Sequence, residues 1–68
     1  MRPALVWRPG VVADSVAVPD GGETYVIFEL KAPRQYYACV AGTSVGWAED
    51  TLDAAKAAAE RHWQESGR

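Results

Sequence analysis

His62 is the only histidine of the 68-residue chain and Cys39 the only cysteine, so they bound the available chemistry. A Ser-His-acid triad needs nucleophile, base and acid in mutual reach. Ser15 and Ser44 lack the strained Gly-x-Ser-x-Gly elbow that presents a nucleophile, and His62 lies late in an alanine-rich run beside Trp63. Cys39 sits between Ala38 and Val40. Apolar surroundings raise a thiol pKa and make it inert, so Cys39 is expected to fill a small core space. One Cys and one His also fall short of an ordinary zinc site. Glu49, Asp50 and Asp53 form an acidic group, but not at the spacing of a calcium loop. They suit helix capping and the positive helix end. Gly42-Thr-Ser-Val-Gly46 lacks the Gly-Lys-Ser/Thr of a phosphate loop and reads as a turn. No catalytic group, cofactor or metal is expected.

The element that must position these groups is a C-terminal helix, Thr51–Trp63. Its alanines, with Leu52, Lys56, Glu60 and Arg61, are good helix formers. Asp50 or Thr51 can cap it. Lys56 with Glu60, and Arg61 with Glu65, have the spacing of outer-face ion pairs. Leu52, Ala55, Ala59, His62 and Trp63 share one stripe. The middle of that stripe is small, which lets the helix come close to a flat surface.

The preceding chain reads as strands and turns. Ala4–Arg8 lies between prolines, which suggests an edge. Val11–Val18 is β-prone, and Pro19-Asp-Gly-Gly22 is a strong turn signal. Glu23–Leu30, Gln35–Ala41 and Ser44–Ala48 are expected strands, joined by turns at Lys31–Arg34 and Gly42–Ser44. Alternation in the first of these puts Val26, Phe28 and Leu30 on one face and Tyr25, Ile27 and Glu29 on the other. The former set is more uniformly apolar and is assigned to the core. For Tyr36/Ala38/Val40 against Tyr37/Cys39/Ala41 both assignments stand.

The expected fold is α+β. An antiparallel β-meander of three to five strands carries one C-terminal α-helix on one face, and residues 1–68 form a single domain. Such a sheet commonly keeps its other face in water. Surplus aromatic and acidic residues then mark a candidate partner surface: Tyr25, Glu29, Tyr36, Trp47, Glu49 and Asp50. Tyr and Trp are enriched where interfaces concentrate their energy.

Net charge is −2 with interspersed signs, so nucleic acid is a disfavoured partner. No run approaches the length of a membrane span, and no signal-peptide core stands at the N-terminus. The lone cysteine suits a reducing cytoplasm. A host protein or protein complex is the expected partner. A homodimer through the free edge or outer face is a second expectation.

Three resemblances follow from the residues. Gly42-x-x-x-Gly46 followed by Asp53-Ala-Ala-Lys-Ala-Ala-Ala resembles the second half of a double-stranded-RNA-binding domain. Thr51, Leu52 and Asp53 stand where that family carries its phosphate-binding lysines. Thr51-Leu-Asp-Ala-Ala55 resembles the helix start of HicB-type antitoxins. The overall layout, with Trp7, Tyr25, Tyr37, Gly46 and Thr51–Trp63, resembles a group of small phage and prophage proteins. That resemblance implies a non-catalytic inhibitor of a host defence complex, as anti-CRISPR proteins are.

Overall fold

The computed structural model describes residues 2–11, 13–31 and 33–66. Five strands form one antiparallel sheet in sequence order: β1 (Arg8–Pro9), β2 (Ser15–Ala17), β3 (Tyr25–Lys31), β4 (Arg34–Val40) and β5 (Thr43–Glu49). A single helix, α1 (Leu52–Ser66), closes one face. This is the α+β meander with a C-terminal helix that the sequence pattern implies. At 15 residues α1 is about 22 Å long, close to the roughly 23 Å of a seven-residue strand.

The turns follow from glycine and from short loops. Gly22 N–H donates to the Pro19 carbonyl at 3.4 Å, with Gly21 at φ +72°. Ala41 and Gly42 both take positive φ, 53° and 79°, as a type I′ hairpin turn requires. Lys31 pairs with Arg34 across the β3–β4 turn; Ala32 of that turn lies outside the described residues. β1 is an edge strand, which tolerates Pro9. The β-prone run Val11–Val18 keeps only Ser15–Ala17 as strand. Ahead of it the chain bends, with Gly10 N–H donating to the Asp14 carbonyl at 3.4 Å; Val12 of that run lies outside the described residues.

Cross-strand register decides which face is covered. Tyr25 stands opposite Ala17 and Val40, and Ile27 opposite Ser15 and Ala38. Tyr25 and Ile27 are the largest fully buried side chains, packed with Ala55, Ala59 and Trp63 of α1. The expected assignment of Val26, Phe28 and Leu30 to the core is therefore inverted. Alanine on the helix needs a lean floor, and Ala17 and Ala38 supply one beside Tyr25 and Ile27. Val26 and Phe28 instead have Val16, Cys39 and Tyr37 as neighbours. Cys39 is thus no core filler; it lies half-buried on the uncovered face. The sheet separates it from His62.

Thr51 Oγ1 accepts from Ala54 N–H at 3.1 Å and caps α1. Ala55, Ala58, Ala59 and Trp63 are its buried residues. The expected pairs Lys56–Glu60 and Arg61–Glu65 do not form; ion pairs among the described residues converge on Glu29. Glu60 turns to the N-terminal segment and accepts from Leu5 N–H at 2.8 Å and from Gln64 Nε2 at 2.9 Å. Gln64 brackets the Arg2 peptide, accepting from its N–H at 3.2 Å and donating to its carbonyl at 2.8 Å. Trp63 Nε1 donates to the Pro3 carbonyl at 2.7 Å, and the Arg2 guanidinium lies 3.9 Å from the indole centroid. Residues 2–5 are therefore a strap along α1, and Leu5 is buried beneath it.

Candidate functional site

Five of the six residues of the expected partner surface gather at one end of the sheet. Tyr36 stands opposite Glu29 on β3 and opposite Glu49 on β5, so the three share one row. Asp50 follows directly and leads into the capped start of α1. Trp47 lies between, at the β5 edge. Tyr25 does not join them. It is only 2% exposed, in the seam under α1. Its hydroxyl shares a hydrogen bond of 2.6 Å with His62 Nδ1, and its ring meets Trp63 edge-on. The expected open face is corrected accordingly: Tyr25, Glu29, Tyr36 and Glu49 all share the strand parity of Ile27, toward the side that α1 covers. Tyr36 packs against the core cluster.

The β4–β5 ladder loses register between Tyr36 and Ala38, where β5 carries extra residues opposite Tyr37. Gly46 takes φ +74° there, a conformation that suits glycine. This bulge leaves Trp47 86% exposed. Trp47 overhangs a groove of about 320 Å³ between β5 and α1, with Glu49, Arg61, His62 and Glu65 also on its walls. Arg61, His62 and Glu65 were not among the expected site residues. Their spacing from Ala58, three, four and seven positions on, marks the helix face beside the seam.

The electrostatics of the row are uneven. Glu29 is held by Arg34 Nε at 3.2 Å and by Lys31 Nζ at 3.9 Å. It also accepts from the Tyr36 hydroxyl at 3.4 Å. Desolvation, and then the Glu29 carboxylate, push the Tyr36 phenol above its ordinary value. Among the described residues Glu49 and Asp50 make no such ion pairs, and Asp50 is exposed. Unspent negative charge therefore sits next to the exposed indole.

Groups suited to covalent or metal chemistry are dispersed. Ser15 Oγ donates to Asp14 Oδ2 at 3.1 Å, and Ser44 is exposed on the uncovered face opposite Cys39. His62 Nδ1 is committed to Tyr25. Among the described residues no three His, Cys, Asp or Glu side chains are placed to hold a metal ion, and no helix is long and apolar enough to cross a membrane. The chain matches no protein-family model, no curated protein and no solved structure.

Proposed function

We propose that this chain is a non-catalytic protein-binding module that presents Trp47, with Glu49 and Asp50, to a partner protein. The observation that carries this reading is Trp47 itself, 86% exposed at an edge strand and held there by the Gly46 bulge. An exposed indole is costly in water and is typical of residues that dominate interface energy. The Glu49 and Asp50 carboxylates beside it favour a partner surface of opposite sign. A basic groove with an apolar slot has that chemistry, such as the nucleic-acid-binding groove of a host protein. An inhibitor of a host defence complex, implied by the likeness to small phage proteins, is one member of this class and rests on that likeness. Direct RNA binding draws less support. At the helix start Thr51 is spent as a cap, Leu52 packs toward the core and Asp53 is an exposed acid.

The test is affinity capture from host lysate with three baits: the wild-type chain, Trp47→Ala, and a double Glu49→Lys, Asp50→Lys variant. The reading requires a protein retained by wild type and lost from both variants, with far-ultraviolet circular dichroism unchanged. Equal capture by all three, or none by any, removes it.

A further inference from the structure

We propose that the uncovered face of the sheet is a homodimer interface, and that two copies pack face to face as a β-sandwich. This surface lies on the far side of the sheet from α1.

The covered face is rich in small residues, while several larger apolar side chains on the opposite face stay half-buried or exposed. Six of the ten buried apolar residues are alanine: Ala13, Ala17, Ala38, Ala55, Ala58 and Ala59. The opposite face carries Val16, Val26, Phe28, Leu30, Tyr37 and Cys39, as the register Val16–Val26–Cys39 and the pair Phe28–Tyr37 require. Phe28 and Tyr37 stack at its centre, with ring centroids 5.5 Å apart. Leu30 is 43% exposed. Val6 and Val18 extend the patch beside Val16 and are more exposed still. Monomeric proteins rarely leave so continuous an apolar surface open.

Charge selects the occupant. Among the described residues named for this patch, Arg8 at its β1 margin carries the one formal charge. A partner of different chemistry would find nothing there to recognise by sign. A second copy meets no like charge across the patch interior, and a two-fold interface needs only self-complementarity. Size points the same way. The seven-residue β3, β4 and β5 are each about 23 Å long, and with the three-residue β2 beside them the face measures roughly 380 Å² in plane. Two copies would thus cover roughly 760 Å² of plane, which side-chain relief and the flanking Val6 and Val18 raise toward the ~1,000 Å² expected of a specific interface. Chains this short commonly need a disulfide, a metal or an oligomer to supplement one core. A lone cysteine forms no internal disulfide, and the described residues gather no metal-binding group.

The experiment is light scattering on a sizing column over a dilution series. It uses wild type, Phe28→Asp, Leu30→Asp and Trp47→Ala. The wild type and Trp47→Ala should elute at twice the 7.4 kDa chain mass, and the two face variants at the chain mass. Leu30 lies near the strand end, so Leu30→Asp decides the matter should Phe28→Asp unfold. Cys39 gives a reading without substitution at the patch: its rate of maleimide labelling should fall as protein concentration rises. A wild type of single chain mass at every concentration overturns the proposal. So does a dimer that persists in both face variants, or one lost only in Trp47→Ala. Because Trp47 lies on the other surface, failure here leaves the partner-binding reading standing, and the reverse holds.

Discussion

Tyr25 on β3 and His62 on α1 are joined across the sheet–helix seam by a 2.6 Å hydrogen bond. Ala17 and Val40 flank Tyr25 on the neighbouring strands, and the Trp63 ring meets it edge-on. Tyr25→Phe keeps the ring and deletes the bond, so it should cost about 1 kcal/mol in urea unfolding.

The same phenol gives the fold a sensitivity to alkali. Burial raises the Tyr25 pKa above its ordinary 10.0, against the opposing charge of Arg2. The folded state then holds this proton more tightly than the unfolded one. Its contribution is complete below pH 10.0 and is lost as pH climbs through the folded value. Urea midpoints measured from neutral pH upward should be flat and then fall above about pH 10. Tyr25→Phe should fall less steeply. Some slope should remain, since the Tyr36 phenol is raised as well.

The Ala41-Gly42 turn is strained at its first position, where alanine holds φ 53°. Ala41→Asn installs a residue that tolerates this region and gives the favoured Asn-Gly pair. It should raise stability by about 0.5–1 kcal/mol, read as a higher melting temperature. No change would mean that the turn relaxes in solution.

Gly22 lies against the Trp63 indole, and a β-carbon there would overlap the ring. Gly22→Ala should therefore cost about 1–3 kcal/mol by overpacking. Near-ultraviolet circular dichroism should report the displaced indole. Gly21→Ala makes a useful contrast. Its β-carbon meets nothing, so its cost comes from φ +72° alone and should leave the indole signal intact.

Gln64 carries the strap through two hydrogen bonds to the Arg2 peptide. Gln64→Ala should loosen residues 2–5 against the helix, leaving the Trp63–Pro3 and Leu5–Glu60 bonds to hold them. Amide exchange at Leu5, whose N–H donates to Glu60, should quicken while the β3 and β4 amides keep their protection. A uniform acceleration would instead mean that the strap belongs to the cooperative core.

Much of this architecture is legible in the residues. The alanine run, the Thr51 cap, the glycine turns and the alternating strands fix the meander and its helix. Which face the helix covers is not legible from one strand. Val26, Phe28 and Leu30 look more core-like than Tyr25, Ile27 and Glu29 when read alone. The choice depends on the rows across strands, where Ala17, Ser15 and Ala38 make room for an alanine helix. The strap was equally hidden, since it acts through peptide groups of Arg2, Pro3 and Leu5 that any sequence carries. At the candidate surface, aromatic and acidic excess points to Trp47, Tyr36, Glu29, Glu49 and Asp50. It misplaces the face, since Glu29, Tyr36 and Glu49 share the helix-side parity of Ile27. It misplaces Tyr25 altogether, because a tyrosine that finds an acceptor can be buried as readily as displayed.

The strap also brings residues far apart in sequence into contact: the Arg2 guanidinium reaches the Ser66 carbonyl at 3.4 Å. Residues 2 and 66 of the fold thus share one corner, on the helix side of the sheet and opposite the Phe28–Tyr37 stack. A brief peptide bridge at that corner, with the backbone reopened at the Ala41-Gly42 bend, should yield a circularly permuted protein of unchanged shape. The same proximity would let the unit be spliced as a whole into a surface loop of a carrier protein, with both faces left facing outward.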